Sequence, residues 1–318
     1  MPALTALIPL DGTKLSESAF SLLPLIQKLG FDRVVLVTVW ESLWPSESLG
    51  RGNTELKELE EKARAYLHAY LGTQADRVKR LGFSVETDLR VGRPADEVLH
   101  AASQISADLI IIATHGREGI ARWRLGSIAD KVVRHAESPT LVIGPNVKID
   151  LAPYSLRRIL VPLDGSTLAE EALPVATWMA RTAGAELDLA RVVSLIVPDF
   201  ELSYSVDILT EVENAARSYL ARVAGTLSGK VQTRTELLIG TAAEQLLAHM
   251  KEAPAELVVM ASHGRSGVIR AALGSVADRM LHGPAPVLVL RPEQTKSGLV
   301  EAAAQRRRGD DADRVAPR

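Results

Sequence analysis

The sequence predicts an α/β fold made of two consecutive domains, each a parallel sheet with helices on both faces. Two observations carry this. Short runs rich in Val, Ile and Leu alternate with longer helical patterns along the whole chain, as in strand–helix units whose sheet is covered on both sides. The chain also repeats itself. Residues 113–127 read Ala-Thr-His-Gly-Arg-Glu-Gly-Ile-Ala-Arg-Trp-Arg-Leu-Gly-Ser, and residues 261–275 read Ala-Ser-His-Gly-Arg-Ser-Gly-Val-Ile-Arg-Ala-Ala-Leu-Gly-Ser. Leu7-Ile8-Pro9-Leu10-Asp11-Gly12-Thr13 returns as Leu160-Val161-Pro162-Leu163-Asp164-Gly165-Ser166, 153 residues on. Val91-Gly92 and Gly126 return as Ile239-Gly240 and Gly274, 148 residues on. The second copy is thus five residues shorter between its second and third strands, where a loop and a long helix tolerate the loss. A period near 150 residues is domain-sized, so the chain reads as a tandem duplication.

In order, the first half gives strands near Ala3–Pro9, Arg33–Trp40, Ser84–Arg90, Asp108–Ala113 and Thr140–Ile143. Helices lie between them near Ser16–Leu29, Thr54–Leu81, Pro94–Ser106 and Ser127–Ala136. The second half gives strands near Arg158–Pro162, Glu186–Val193, Val231–Leu238, Glu256–Ala261 and Val287–Leu290, with helices near Leu168–Ala183, Val206–Leu227, Ala242–Lys251 and Ser275–Leu281. Thr167 with Glu170 reads as a capping box, and Pro94 suits a first helical position. Pro174 falls inside a helix and predicts a kink or a lost hydrogen bond. Residues 1–146 form the first domain, 147–156 the linker, within the Pro- and Asn-bearing run 145–156, and 157–294 the second domain. The tail 295–318 lacks a strong apolar period, so we expect it to be disordered, with Arg306–Arg308 a solvated charge run.

Composition narrows the function classes. At 318 residues each domain can bury a real core, and with 47% hydrophobic but only 4% aromatic residues that core is aliphatic. A formal net charge of −2 gives no support for a nucleic-acid partner. Without cysteine, disulfides, thiol chemistry and cysteine metal sites are excluded. No run approaches the ~18–20 apolar residues of a membrane span, and the N-terminus enters a strand without a signal-like start. We expect a cytosolic protein with no membrane partner.

The repeated loop is where chemistry would sit. It follows an apolar run (Leu109–Ile112, Leu257–Met260) and leads into a helix, and glycine there lets backbone N–H groups approach an anion unobstructed. Two such loops suggest two nucleotide-sized sites. The pattern small-x-His-Gly, nine residues, Gly-Ser resembles the Gly-x₂-Gly-x₉-Gly-(Ser/Thr) signature of the universal stress protein family. Pro-Leu-Asp-Gly-(Ser/Thr), Gly92 and Gly240 match as well, so the likeness covers about residues 1–292.

The resemblance implies two Rossmann-like domains, each a five-stranded parallel sheet of order 3-2-1-4-5 flanked by helices, with ligand in the crevice at the strand-order reversal. It implies adenine near Pro9, Asp11 and Val39 in the first half and Pro162, Asp164 and Val192 in the second. Ribose and phosphates would take Ala113, Thr114, His115, Gly116 and Arg117 with Gly126, Ser127 and Ile128. Their second-half counterparts are Ala261, Ser262, His263, Gly264, Arg265 and Ser266 with Gly274, Ser275 and Val276. Ser127 and Ser275 open helices, whose ends favour phosphate by about 0.3–1 kcal/mol. It further implies that the halves pair through Leu141–Ile143 and Val287–Leu290 as an intrachain pseudo-dimer, which could pair again as a homodimer; unpaired edges tend to be covered.

Two departures stand out. The family's first glycine is Ala113 and Ala261, which suits a negative φ only. Glu118 stands where the second half has Ser266, so repulsion should weaken phosphate binding in the first half. Other roles stay open. Asp11 and Asp164 could cap a turn or touch ligand, and Arg117 and Arg265 could meet phosphate or solvent. His115 and His263 are read as loop-structuring, and Trp40, Trp44, Trp123 and Trp178 as packing. No Walker A, dinucleotide, zincin or nucleophile-elbow motif is present, and nothing assembles a metal site. We expect an ATP-binding regulatory or stress-response protein, with Mg²⁺ as an optional companion, no dedicated catalytic apparatus and at most slow ATP hydrolysis. The alternatives are an interaction module whose pockets stay empty or hold another ligand, and a phosphohydrolase.

Overall fold

The computed structural model describes residues 4–41, 54–114, 126–148, 155–194, 202–262 and 273–291, with Leu299 and Glu301. In the first half, β1 (Leu4–Pro9), α1 (Lys14–Glu17), a 3₁₀ segment (Ser18–Leu22), α2 (Leu23–Lys28), β2 (Phe31–Trp40), α3 (Thr54–Lys79), β3 (Ser84–Val91), α4 (Pro94–Gln104), β4 (Leu109–Ala113), α5 (Ser127–His135) and β5 (Thr140–Ile143) follow in order. The second half repeats them: β6 (Arg158–Pro162), α6 (Thr167–Glu170), α7 (Ala172–Ala183), β7 (Glu186–Val193), α8 (Leu202–Leu227), β8 (Thr233–Ile239), α9 (Ala242–Glu252), β9 (Leu257–Ala261), α10 (Ser275–Met280) and β10 (Val287–Leu290).

The strands run β3-β2-β1-β4-β5-β10-β9-β6-β7-β8, so each half has the order 3-2-1-4-5 and is parallel throughout. The two halves do not form separate sheets. β5 and β10 pair antiparallel, with Val142 opposite Val287 and Leu141 opposite Leu288, and this joins all ten strands into one sheet. All four of those side chains are buried. At the seam Gly144 lies so close to its neighbour that a Cβ would fall 2.2 Å from the Leu281 carbonyl oxygen. Glycine is required there for space rather than for conformation. Asn146 donates across the seam to the His282 carbonyl (2.8 Å), and Arg291 donates to the Ala136 carbonyl (3.2 Å).

Hydrophobic layers cover both faces, as a sheet of near-continuous aliphatic strands requires. One layer joins the sheet to α2, α3, α7 and α8 and runs through both halves; Leu299 is buried in it. The other joins it to α4, α5, α9 and α10. β4 and β9 are buried throughout, whereas the outermost strands, β3 and β8, mix half-buried and exposed residues. Among the described residues no helix is long and apolar enough to cross a membrane.

Three local expectations need correction. The helices expected over Ser16–Leu29 and Leu168–Ala183 are both interrupted: Ser18–Leu22 is 3₁₀, and Glu171 separates α6 from α7. Pro24 and Pro174 cause this, since neither has an N–H for the carbonyl four residues back (Phe20 and Glu170) and each ring crowds that carbonyl. The sequence reading anticipates the effect at Pro174 but not at Pro24. The capping box is also displaced. Ser166, in extended backbone, is the N-cap and accepts from the Ala169 N–H at 3.1 Å, while Glu170 pairs with Arg222 at 2.7 Å. Pro94 does open α4 behind Arg93.

Candidate functional site

The reversal of strand order between β6 and β9 opens a cavity of about 290 Å³ at their carboxyl ends. Eight sequence-predicted residues line it: Pro162, Asp164, Val192, Ala261, Ser262, Gly274, Ser275 and Val276. Leu163, Ala169, Ala190, Ala242, Leu246, Met260 and Ala277 complete the wall, and sequence reasoning missed them. Two signals could have found some of them. Ala190 lies two residues before Val192, hence on the same strand face, and Ala242 and Leu246 are four apart on one helix face.

The first half puts the matching residues at the matching ends. Pro9 closes β1, Val39 is next to last in β2, Ala113 closes β4, and Gly126, Ser127 and Ile128 begin α5. Thr114 donates its N–H to the Ile143 carbonyl (2.9 Å), but its hydroxyl is buried with no hydrogen-bond partner among the described residues. His115, Gly116, Arg117, Glu118, His263, Gly264, Arg265 and Ser266 lie outside the described residues, as do Trp44 and Trp123.

Each piece of the site has a local cause. Asp11 Oδ1 accepts from the Thr13 N–H (3.0 Å) and hydroxyl (2.7 Å), and Asp164 Oδ1 accepts from the Ser166 N–H (2.9 Å) and hydroxyl (2.6 Å). These are Asx turns, and the residue between needs a positive φ: +82° at Gly12 and +90° at Gly165. The same turn sets the following helix cap, since Thr13 accepts from the Ser16 N–H as Ser166 does from Ala169. Ala113 and Ala261 are strand residues paired with Ile143 and Leu290, so extended backbone accommodates alanine at the position of the family's first glycine. Gly126 (φ −56°, ψ 140°) and Gly274 (φ −61°, ψ 146°) cap the next helices in backbone open to any residue. Gly274 donates its N–H to the Ser262 carbonyl (2.9 Å), tying together the two ends of the second glycine loop.

Asp164 is the charged group among the cavity's described lining residues, and cationic side chains lie beside it. Arg191 lies over the Tyr219 ring (4.7 Å), and Arg222 lies over the same ring (5.1 Å). Burial pushes the Tyr219 phenol well above its ordinary pKa, and the Glu170 carboxylate adds to that. In the first half burial does the same to Tyr70, helped by Glu17, whose carboxylate accepts from the phenol at 3.2 Å. A larger cleft of about 770 Å³ opens between α7 and α8, lined among others by Thr177, Arg181 and Lys230, but none of the predicted site residues reaches it.

The model of the universal stress protein family matches residues 4–144 and again 155–291. A universal stress protein of Mycobacterium tuberculosis is 31% identical over 211 residues, covering 65% of this chain and 69% of its own. A solved universal stress protein from Archaeoglobus fulgidus superimposes with a TM-score of 0.65 at 23% identity, over 92% of this chain and 99% of its own. One from Pseudomonas aeruginosa gives 0.65 at 17% identity, over 95% and 98%. At these identities the structural likeness bears on fold alone.

Proposed function

The chain belongs to the universal stress protein family, and from that premise we propose that it binds adenine nucleotide, ATP with or without Mg²⁺, in a crevice of each half. The observation that carries this reading is the second-half cavity, whose wall includes residues from three stretches of the repeated motif: Pro162 and Asp164, Ala261 and Ser262, Gly274 and Ser275. Its inner surface is apolar, with Ala190, Val192, Leu246 and Met260 suited to the faces of a purine. Gly274 and Ser275 also line it, and there phosphates can come close to backbone N–H groups. In the first half the Thr114 hydroxyl, buried with no partner among the described residues, supports the same use, because a buried hydroxyl without an acceptor is costly unless a ligand supplies one.

The role is binding rather than turnover. Asp164 is the one ionisable group among the cavity's described lining residues, and its Oδ1 is engaged by Ser166. Nucleotide occupancy would act as a cytoplasmic stress or regulatory signal, read from the pseudo-dimer or a homodimer of it. Calorimetric titration of the purified chain with ATP, with and without Mg²⁺, tests this alongside mass spectrometry of any ligand released on denaturation. We expect two sites per chain. No released adenine nucleotide and no heat of binding at millimolar ATP would leave the interaction-module reading instead.

A further inference from the structure

One buried polar pair has no counterpart in the first half. Asp188 on β7 and His249 on α9 are 1% and 8% exposed, and His249 Nε2 lies 2.7 Å from Asp188 Oδ2. The matching first-half positions are Val35 and Ala101, both buried in the aliphatic layer beneath α4. Asp188 Oδ1 is buried with no hydrogen-bond partner among the described residues.

The pair's position gives it a consequence. Ala190 and Val192 follow Asp188 on the same face of β7, and both line the cavity. Leu246 precedes His249 by three residues on α9, so the two share a helix face, and Leu246 lines the cavity too. The strand and helix that form one wall of the second crevice are therefore tied together one layer below it. The other charged groups around the pair have partners of their own. Glu186, on the same face of β7, is held by Arg158 (2.6 Å). Arg234, opposite Asp188 on β8, lies 3.9 Å from Glu186 and 4.0 Å from Glu236. On α10, Arg279 pairs with Glu244 at 3.2 Å; His282, two residues past that helix, has Nδ1 2.9 Å from the Asp278 carbonyl and a buried Nε2 with no partner among the described residues.

We propose that Asp188 and His249 form a proton-dependent clamp on the second crevice, so that ligand affinity there, and not in the first half, depends on the protonation of His249. This rests on the nucleotide reading above for its ligand. With the imidazole protonated, the pair is a charge-assisted bond that compensates the buried carboxylate. Loss of that proton leaves a buried carboxylate with one neutral partner and a bare Oδ1, which burial disfavours. The strand and helix relieve this by separating to admit water, and the slot between Ala190 and Leu246 widens. Asp188 and His249 are positioning residues: neither lines the cavity.

The test uses the full chain in a Gly126→Val background, so that the second site is read alone. ATP affinity is measured from pH 5.5 to 8.5 for this parent, for Asp188→Val/His249→Ala, which copies the first half's own residues, and for Asp188→Asn. Comparison with the double variant cancels the titration of ATP itself. We expect the parent's affinity, relative to the double variant, to fall at least about threefold from the acid to the alkaline limb, the order of a charge-assisted against a neutral hydrogen bond. Asp188→Asn should fold and lose the pH dependence. Amide exchange of Ala242–Glu252, corrected for intrinsic rates, should quicken over the same pH range in the parent without ligand and not in the double variant. Parallel affinity profiles in all three proteins, or α9 protection that ignores the His249 titration, would overturn the clamp. If ATP fails to bind at any pH, the nucleotide reading falls, and the exchange measurement alone decides the clamp.

Discussion

Leu141 and Leu288 stand opposite each other where β5 meets β10, and each is 1% exposed. If the halves share one sheet, these residues, 147 positions apart in sequence, should be energetically coupled. Truncating either to Ala removes buried methyl groups from a packed site and should cost about 2–5 kcal/mol. Both truncations delete the same cross-strand contact, so the double variant should lose less than the sum of the two. The shortfall should be about 1 kcal/mol, at the upper end for a cross-strand pair and within the range for residues sharing a cavity. Urea unfolding of the four proteins measures it, provided the m-values agree. Leu71, on α3, packs over β2 and β3, with β2 four strand spacings from β10, or about 19 Å. Leu71→Ala with Leu288→Ala should therefore add to within about 0.5 kcal/mol. If the Leu141–Leu288 cycle is as additive as that control, or if the halves unfold in two transitions each moved by its own mutation alone, the continuous sheet is wrong.

Three further outcomes follow from the site and its surroundings. Gly274→Val should fold, since φ −61° and ψ 146° suit any residue, yet ATP affinity of the second half should fall at least about tenfold by calorimetry because the new methyl groups meet the ligand's approach. Asp164→Ala deletes the acceptor of two hydrogen bonds and should cost about 1–2 kcal/mol in urea unfolding, whereas Asp164→Asn keeps the turn and should cost under about 0.5 kcal/mol. If nucleotide affinity is unchanged in the Asn variant, the carboxylate charge serves the turn and not the ligand. Tyr70 and Tyr219 should ionise well above the ordinary tyrosine range in an ultraviolet titration of the native protein. Their folded pKa values lie above the unfolded value of about 10, so the stability they contribute is present below that pH and is lost as pH rises through the folded values. Alkaline unfolding that is unaffected by Tyr70→Phe and Tyr219→Phe would contradict this.

The legible part of the fold was what repeats or alternates. Aliphatic runs such as Leu109–Ala113 and Leu257–Ala261 reveal buried parallel strands because such strands are covered on both faces, and the order 3-2-1-4-5 came from resemblance, not from pattern. Less legible was anything set by one residue acting through the backbone. Pro24 breaks its helix as Pro174 does, yet its apolar neighbours continue the helical pattern and hide the break. Ser166 rather than Thr167 caps α6 because the Asp164 turn in front of it sets the backbone there. At the site, motif residues carry polar or glycine signatures and could be named in advance. The apolar wall of Ala190, Ala242, Leu246 and Met260 could not, because those residues look like ordinary core until the topology opens a gap beside them. The Asp188–His249 pair was hidden for the opposite reason: two polar residues 61 positions apart have nothing in sequence to connect them.

The covalent join of the two halves has an evolutionary consequence. In a dimer of identical chains any substitution occurs on both sides of the symmetry axis at once, so a change that improves one crevice must be tolerated in its mirror site and at the seam. Here the β5–β10 pairing reproduces such an axis inside a single polypeptide, and the two copies are free to drift apart while their contact stays fixed. Val35 and Ala101 against Asp188 and His249, and Glu118 against Ser266, are differences that a symmetric assembly could not hold. Fusion also makes the pairing independent of concentration, so a cell making very little of this chain would still have every copy assembled.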